Sequence, residues 1–415
     1  MKSDDASGTA AAPGAPWVVA YAAVVLAMMA MQMSSLGFAP LLPSIQQEFQ
    51  MSFSQLGTFT GIYGLVALIM SVPAGVLAKQ YGEKKVLSAG LLILVFGLLF
   101  LSHAENYGQA LSARVVWIFG YRLAFVCVMI AIAVTAPPKL KGRAMGILGA
   151  MSSLASVVGA PFCAKIGESL GWRHGIDAFA GVAVLGLAIF WFFYVQKPEA
   201  APPPGQGDAK SRGAFAAFKI PIVWTIPLLG LTNVGGFAAT FFVPSVLKAD
   251  FGATATDAAY LISVSYIAAI FANPLCGYLS DRFNRWKVLA IIVALMIPAS
   301  LAMTSKTLLI FQIGTISLIS LGLSSTHQLY PTIAELMRGR DVGPLMGITA
   351  LGGGLFGYLG PQMLGWLRDW SGGFAAGWYA LSGAAVASMA LILFLKAYSE
   401  RQEEGVSAQQ PTNGE

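Results

Sequence analysis

The sequence predicts an all-α membrane protein of twelve transmembrane helices in two related six-helix halves, and three observations carry that prediction. Hydrophobic residues make up 56% of the 415 and charged residues only 11%, against roughly 25% charged in a soluble domain. Apolar runs of the roughly 20 residues needed to cross a bilayer recur from end to end. A polar segment divides them near the middle, and local patterns from the first half return in the second.

Residues 1–16 form a polar tail in which Lys2 is the one basic residue before the apolar run. That is a poor secretory signal, so the first helix is expected to be retained. Hydropathy then places helices near 17–42, 55–79, 85–103, 109–134, 144–168 and 176–196, giving a first bundle over 17–198. Residues 199–219 open with EAAPPPGQGDAKSRG, the composition of a solvated linker. A second set follows near 221–247, 257–280, 287–304, 307–332, 344–368 and 375–397, giving a bundle over 220–397 and a tail over 398–415.

Basic residues alternate by side. Lys79, Lys84, Lys85, Lys139, Arg143, Lys210, Arg282, Arg285, Arg338 and Arg340 fall on the side of the linker and termini, whereas Arg173, Lys248, Lys306 and Arg368 fall opposite. Translocation of basic loops is disfavoured, so both termini and the linker are expected in the cytoplasm, as in a bacterial inner-membrane protein. The same distribution accounts for the net charge of +6 without a nucleic-acid partner. Cys127, Cys163 and Cys276 lie singly in apolar runs, which is the pattern of buried structural thiols. No cofactor, metal or phosphate-binding signature is present.

The halves repeat at a nearly constant offset. GVLAKQYGEKKVL at Gly75 to Leu87 aligns with GYLSDRFNRWKVL at Gly277 to Leu289, and RAMGI at Arg143 aligns with PLMGI at Pro344. The Gly159–Pro161 segment aligns with the one ending at Pro361.

The loops after helices two and eight resemble the cytoplasmic signature of the major facilitator superfamily, roughly G-x-L-a-D-r-x-G-r-k. Gly75 and Gly277 permit close helix contact, and Lys79, Lys85, Asp281, Arg282 and Lys287 supply charges that can pair when one side closes. In the first copy Lys79 stands where the family has an acid, with Glu83 nearby. Arg114 followed by Gly120 resembles the family's helix-four pattern R-x-x-x-x-x-G. The Gly-Pro segments at Pro161 and Pro361 resemble the glycine-proline motif of family exchangers, where proline bends the axis. The resemblance implies a two-bundle fold with a central site lined by helices one, four, seven and ten. It also implies a secondary transporter, not an enzyme, working as a monomer.

Arg122 lies eight residues beyond Arg114, about 12 Å deeper along the same helix. Ionisable side chains at that depth are costly and mark function. No Asp or Glu falls mid-helix, since Glu168 and Asp177 lie near helix ends. A buried guanidinium without a carboxylate is satisfied by backbone and hydroxyl acceptors or by an anionic ligand. The expected substrate is therefore a small anion of organic-acid type, with protons as a further partner through His327.

By resemblance Arg114 lies near the central cavity and joins the candidate site, and His327 and Gln328, in SSTHQLYP of helix ten, stand opposite Arg122. Gln32 on helix one, Asn233 on helix seven, Tyr63 on helix two and Tyr266 on helix eight complete the candidate site. Lys165 and Glu168, three apart, are expected to pair locally. The alternatives are a drug/proton antiporter of the same superfamily and a non-transporting membrane receptor or assembly component.

Overall fold

Lipid offers no hydrogen-bond partner to a peptide group, so a chain this apolar must satisfy its backbone internally, and helices do so. In a computed structural model, residues 16–137, 140–195, 225–336 and 342–409 are described. Among them are twelve helices of 18 to 35 residues. The tail before residue 16, the central linker, Lys139, Arg338 and Arg340 lie outside the described residues.

The first half comprises α1 (Pro16–Gly37), the short α2 (Leu42–Glu48), α3 (Phe53–Tyr81), α4 (Glu83–Ser102), α5 (Tyr107–Thr135), α6 (Lys141–Leu170) and α7 (Trp172–Phe193). The second comprises α8 (Leu231–Phe251), α9 (Ala255–Arg282), α10 (Arg285–Ala302), α11 (Leu308–Leu336), α12 (Val342–Ser371) and α13 (Ala375–Gln409). Eleven spans are long and apolar enough to cross a membrane, with α1 and α2 counted as one. The remaining long helix, α12, packs along α3.

The chain crosses back and forth between two faces. The one where α7 ends and α8 approaches is here the linker face; the other is the far face. Local chemistry fixes the turns. On the far face Ser52 starts α3 with a capping box to Gln55, and Thr254 starts α9 with one to Asp257. Asn106 caps α5 by accepting from the Gln109 N–H, and Asn284 caps α10 through Lys287. Gly82 joins α3 to α4 at φ 85°, a conformation side chains disfavour.

Observed boundaries exceed the expected windows by a turn at several ends. The first crossing continues past residue 42 because Pro40 and Pro43 sit in first-turn positions, where a missing N–H costs nothing. The last helix runs to Gln409 rather than ending near 397, supported by a Lys396–Glu400 ion pair one turn apart.

The halves meet most extensively along two crossings, α3 with α12 and α6 with α9. Both are tight on the far half. Gly57, Gly61 and Gly64 of α3 lie against the backbone of α12 from Gly354 to Gln362, and Ser263 of α9 donates to the Val157 carbonyl of α6 at 2.7 Å. Glu168 does not stay with Lys165 as expected; its carboxylate reaches Thr256 at the start of α9.

Towards the linker face these contacts end. A Cβ on Gly75 would meet none of the described residues within 4 Å, so the close helix approach expected there is not made among them. Val72 and Val76 of α3 and Phe271 and Leu275 of α9 are exposed. Among the described residues the halves are thus in close contact towards the far face and not at Gly75 towards the linker face.

Candidate functional site

Between the halves lies a cavity of about 440 Å³. Its charged end belongs to α5. Arg122 stands at the middle of this 29-residue helix, and its guanidinium carbon is 4.1 Å from the centre of the Tyr63 ring and 5.9 Å from that of Tyr121. The ring faces attract the cation without neutralising it. Its Nε is buried with no hydrogen-bond acceptor among the described residues.

Tyr121 is fixed by donating to Gln32 Oε1 at 2.6 Å, which ties α5 to α1. Tyr63 also packs at a tilt on Phe237 of α8, with centroids 5.4 Å apart, so a ring of the first half that carries the cation touches the second half. Among the described residues lining the cavity, Arg122 is the one ionised side chain. The second half contributes Asn233, Thr240, Tyr266 and Thr326, all uncharged, together with bare backbone at Gly236, Gly354 and Gly357.

Of the residues expected from sequence, Arg122, Gln32, Tyr63, Asn233 and Tyr266 line this cavity, and Arg114, His327 and Gln328 do not. On α11 the cavity face carries Leu323 and Thr326, three residues apart. His327 is turned about 100° from Thr326; it is exposed, with Nδ1 2.8 Å from the Leu323 carbonyl. Gln328 is buried towards Gly277 of α9.

Arg114 is wholly buried on the far side of the cavity, in an aromatic box. Its guanidinium carbon is 4.1 Å from the Phe38 ring, 4.0 Å from Trp117 and 5.7 Å from Phe59. All three of its side-chain nitrogens lack an acceptor among the described residues. Rings link the two arginines, from Tyr63 through Phe237 and Phe241 to Phe38, with successive centroids 5.4, 5.0 and 5.7 Å apart. This ladder crosses between the halves.

The remaining candidates sit at the linker face or on the bends. Asp281 pairs locally with Arg285 at 3.2 Å, and Arg282 donates to Tyr278. Lys79 and Lys85 are exposed. Glu83, beside the place where an acid was expected, is buried and accepts from the Tyr194 hydroxyl at 2.8 Å. Pro161 and Pro361 lie inside α6 and α12.

Sequence reading missed Tyr121, Phe125, Phe237, Thr240 and the glycines of α12. Helical spacing carried the signal: Phe125 lies three residues after Arg122, and Phe237 and Thr240 lie four and seven after Asn233.

The Major Facilitator Superfamily profile matches residues 21–325 and 228–413, and the chain belongs to that superfamily. It is therefore a membrane transporter and not an enzyme. It is 26% identical over 344 residues to the probable nitrate transporter NarT of Staphylococcus haemolyticus, covering 80% of this chain and 85% of that protein. It is 21% identical over 383 residues to the nitrite extrusion protein of Bacillus subtilis, covering 88% and 93%. Among solved structures it is similar to a bacterial homologue of the human lysosomal transporter Spinster, in an inward-facing and unoccupied conformation. The TM-score is 0.70 at 18% identity, with 94% of this chain and 97% of that one covered.

Proposed function

We propose that this chain is a secondary transporter that carries a small anion across the cell membrane by alternating access, with Arg122 as the anchor for the negative charge. The observation that carries this reading is a lone cation in the cavity, held on Tyr63 and faced by no carboxylate among the described lining residues. A half-buried positive charge with no carboxylate beside it is poorly satisfied, and an anion that arrives and departs supplies the missing partner. The printed names of the relatives, nitrate and nitrite transporters, agree with an anionic solute.

The linker face is the cytoplasmic one, because the basic loops gather there. The structure is then the inward-open state. The bundles 17–198 and 220–397 rock about the Arg122 site within one chain. In the opposite state the loops around Gly75, Lys79 and Lys85 and around Gly277, Asp281 and Arg282 meet, while the bends at Pro161 and Pro361 absorb the motion.

The test is binding and uptake of a panel of inorganic and organic anions, with neutral and cationic solutes as controls, by purified protein and proteoliposomes. Arg122→Gln is expected to abolish binding of whichever anion the wild type takes, with expression and melting temperature retained. Undiminished binding in that variant, or a panel in which only cations or neutral solutes bind, rejects the reading.

A further inference from the structure

We propose, resting on the anion reading above, that the solute is an organic monocarboxylate with a flat, ring-containing body rather than an inorganic oxoanion. Size comes first. The cavity of about 440 Å³ falls within the roughly 300–1,000 Å³ of sites for small organic molecules. A four-atom oxoanion takes the room of about two waters, on the order of 60 Å³. It would fill only a small part of the cavity.

Charge sets the number of carboxylates. Arg122 is the one ionised side chain among the described lining residues, and it belongs to the first half. The second carboxylate of a diacid would be stranded against uncharged groups of the second half, a burial that costs several kcal/mol. A single carboxylate at Arg122 leaves no charge unmatched.

Shape sets the body. Tyr63, Tyr121 and Phe125 of the first half and Phe237 and Tyr266 of the second line the cavity. Between the rings the backbones of Gly64, Gly236, Gly354 and Gly357 present surfaces without side chains. A lining this rich in rings favours a planar ring, which stacks offset or edge-on, over a branched aliphatic body. Thr326 and Asn233 of the second half also line the cavity and can hydrogen-bond a neutral hydroxyl on the ring.

The experiment is titration of the purified full-length protein with benzoate, 4-hydroxybenzoate, acetate, succinate and nitrate, each also run against Phe125→Ala. The aromatic acids are expected to bind at least tenfold more tightly than acetate, succinate or nitrate. Phe125→Ala is expected to weaken the aromatic acids at least fivefold more than it weakens acetate and nitrate. Phe125→Leu, which keeps an apolar side chain but removes the ring, gives the same contrast if the alanine variant fails to fold. Arg122-dependent binding of nitrate or acetate as tight as that of benzoate overturns this inference and leaves the anion reading standing, as does failure of both aromatic acids to bind. Benzoate binding that survives Arg122→Gln overturns both.

Discussion

Asp369, near the end of α12, accepts hydrogen bonds from the backbone N–H groups of Ser54 at 2.7 Å and Phe53 at 3.0 Å, the first residues of α3. The repeat supplies its counterpart. Glu168, near the end of α6, accepts from the Thr256 N–H at 2.8 Å and hydroxyl at 2.6 Å at the start of α9. Each carboxylate satisfies orphan donors at a helix N-terminus of the opposite half and meets the positive end of its dipole. Both contacts exist only while the far face is closed.

Removing this pair of latches therefore shifts the population towards a far-open state. An exposed carboxylate at a helix N-terminus contributes about 0.3–1 kcal/mol, so the Glu168→Gln, Asp369→Asn double variant is expected to change the ratio of states about five-fold. Spin-label distances across the far mouth report it. An unchanged distance distribution would mean that the glycine-lined crossings alone hold the face shut.

The hydrogen bond from Tyr121 to Gln32 orients the ring beside Arg122. Tyr121→Phe removes the hydroxyl and keeps the ring, which costs about 1 kcal/mol. The expected result is a KM for the transported anion raised about five-fold with kcat near that of the wild type. A change confined to melting temperature would make the bond structural only.

What the sequence disclosed followed from periodicity and from charge. Twelve apolar runs, the repeat and the depth of Arg122 were all legible, because membrane burial leaves a coarse mark on composition. Rotation about a helix axis was not. His327 and Thr326 are neighbours in SSTHQ, yet a 100° turn sends one to the surface and the other to the cavity. Glu168 read as a partner for Lys165 because nothing local shows that α9 begins beside it. The aromatic ladder was hidden for the same reason, since Phe38, Phe237 and Phe241 are ordinary membrane residues until α1 and α8 are brought together.

Arg114 keeps a charge fully buried with ring faces as its described partners. Faces contribute about 2 kcal/mol or more each when desolvated, less than the full cost of burying a cation with no anionic partner. Arg114→Met, similar in reach and uncharged, is expected to melt no lower than the wild type while transport falls at least tenfold. Arg114→Lys is expected to melt lower, because an ammonium is more strongly hydrated and cannot lie flat between rings. Normal transport by the methionine variant would reduce the residue to packing.

Gly64 sets how closely the halves can approach. A Cβ there would stand 2.2 Å from the Gly354 carbonyl oxygen and 2.6 Å from the Tyr358 nitrogen. Both are helix backbone, so neither can give way, and relief requires α3 and α12 to separate on the far half. Gly64→Ala is therefore expected to favour the far-open state and to lower transport by an order of magnitude or more, while anion binding from the far side persists. Gly75 on the same helix is the opposite case. A Cβ there meets none of the described residues within 4 Å, so Gly75→Ala leaves the present form untouched and penalises the one in which the linker face closes. Single cysteines at the two mouths, probed with a membrane-impermeant thiol reagent in each variant, are expected to report opposite shifts in accessibility. Shifts of the same sign would show that the two crossings do not open and close in alternation.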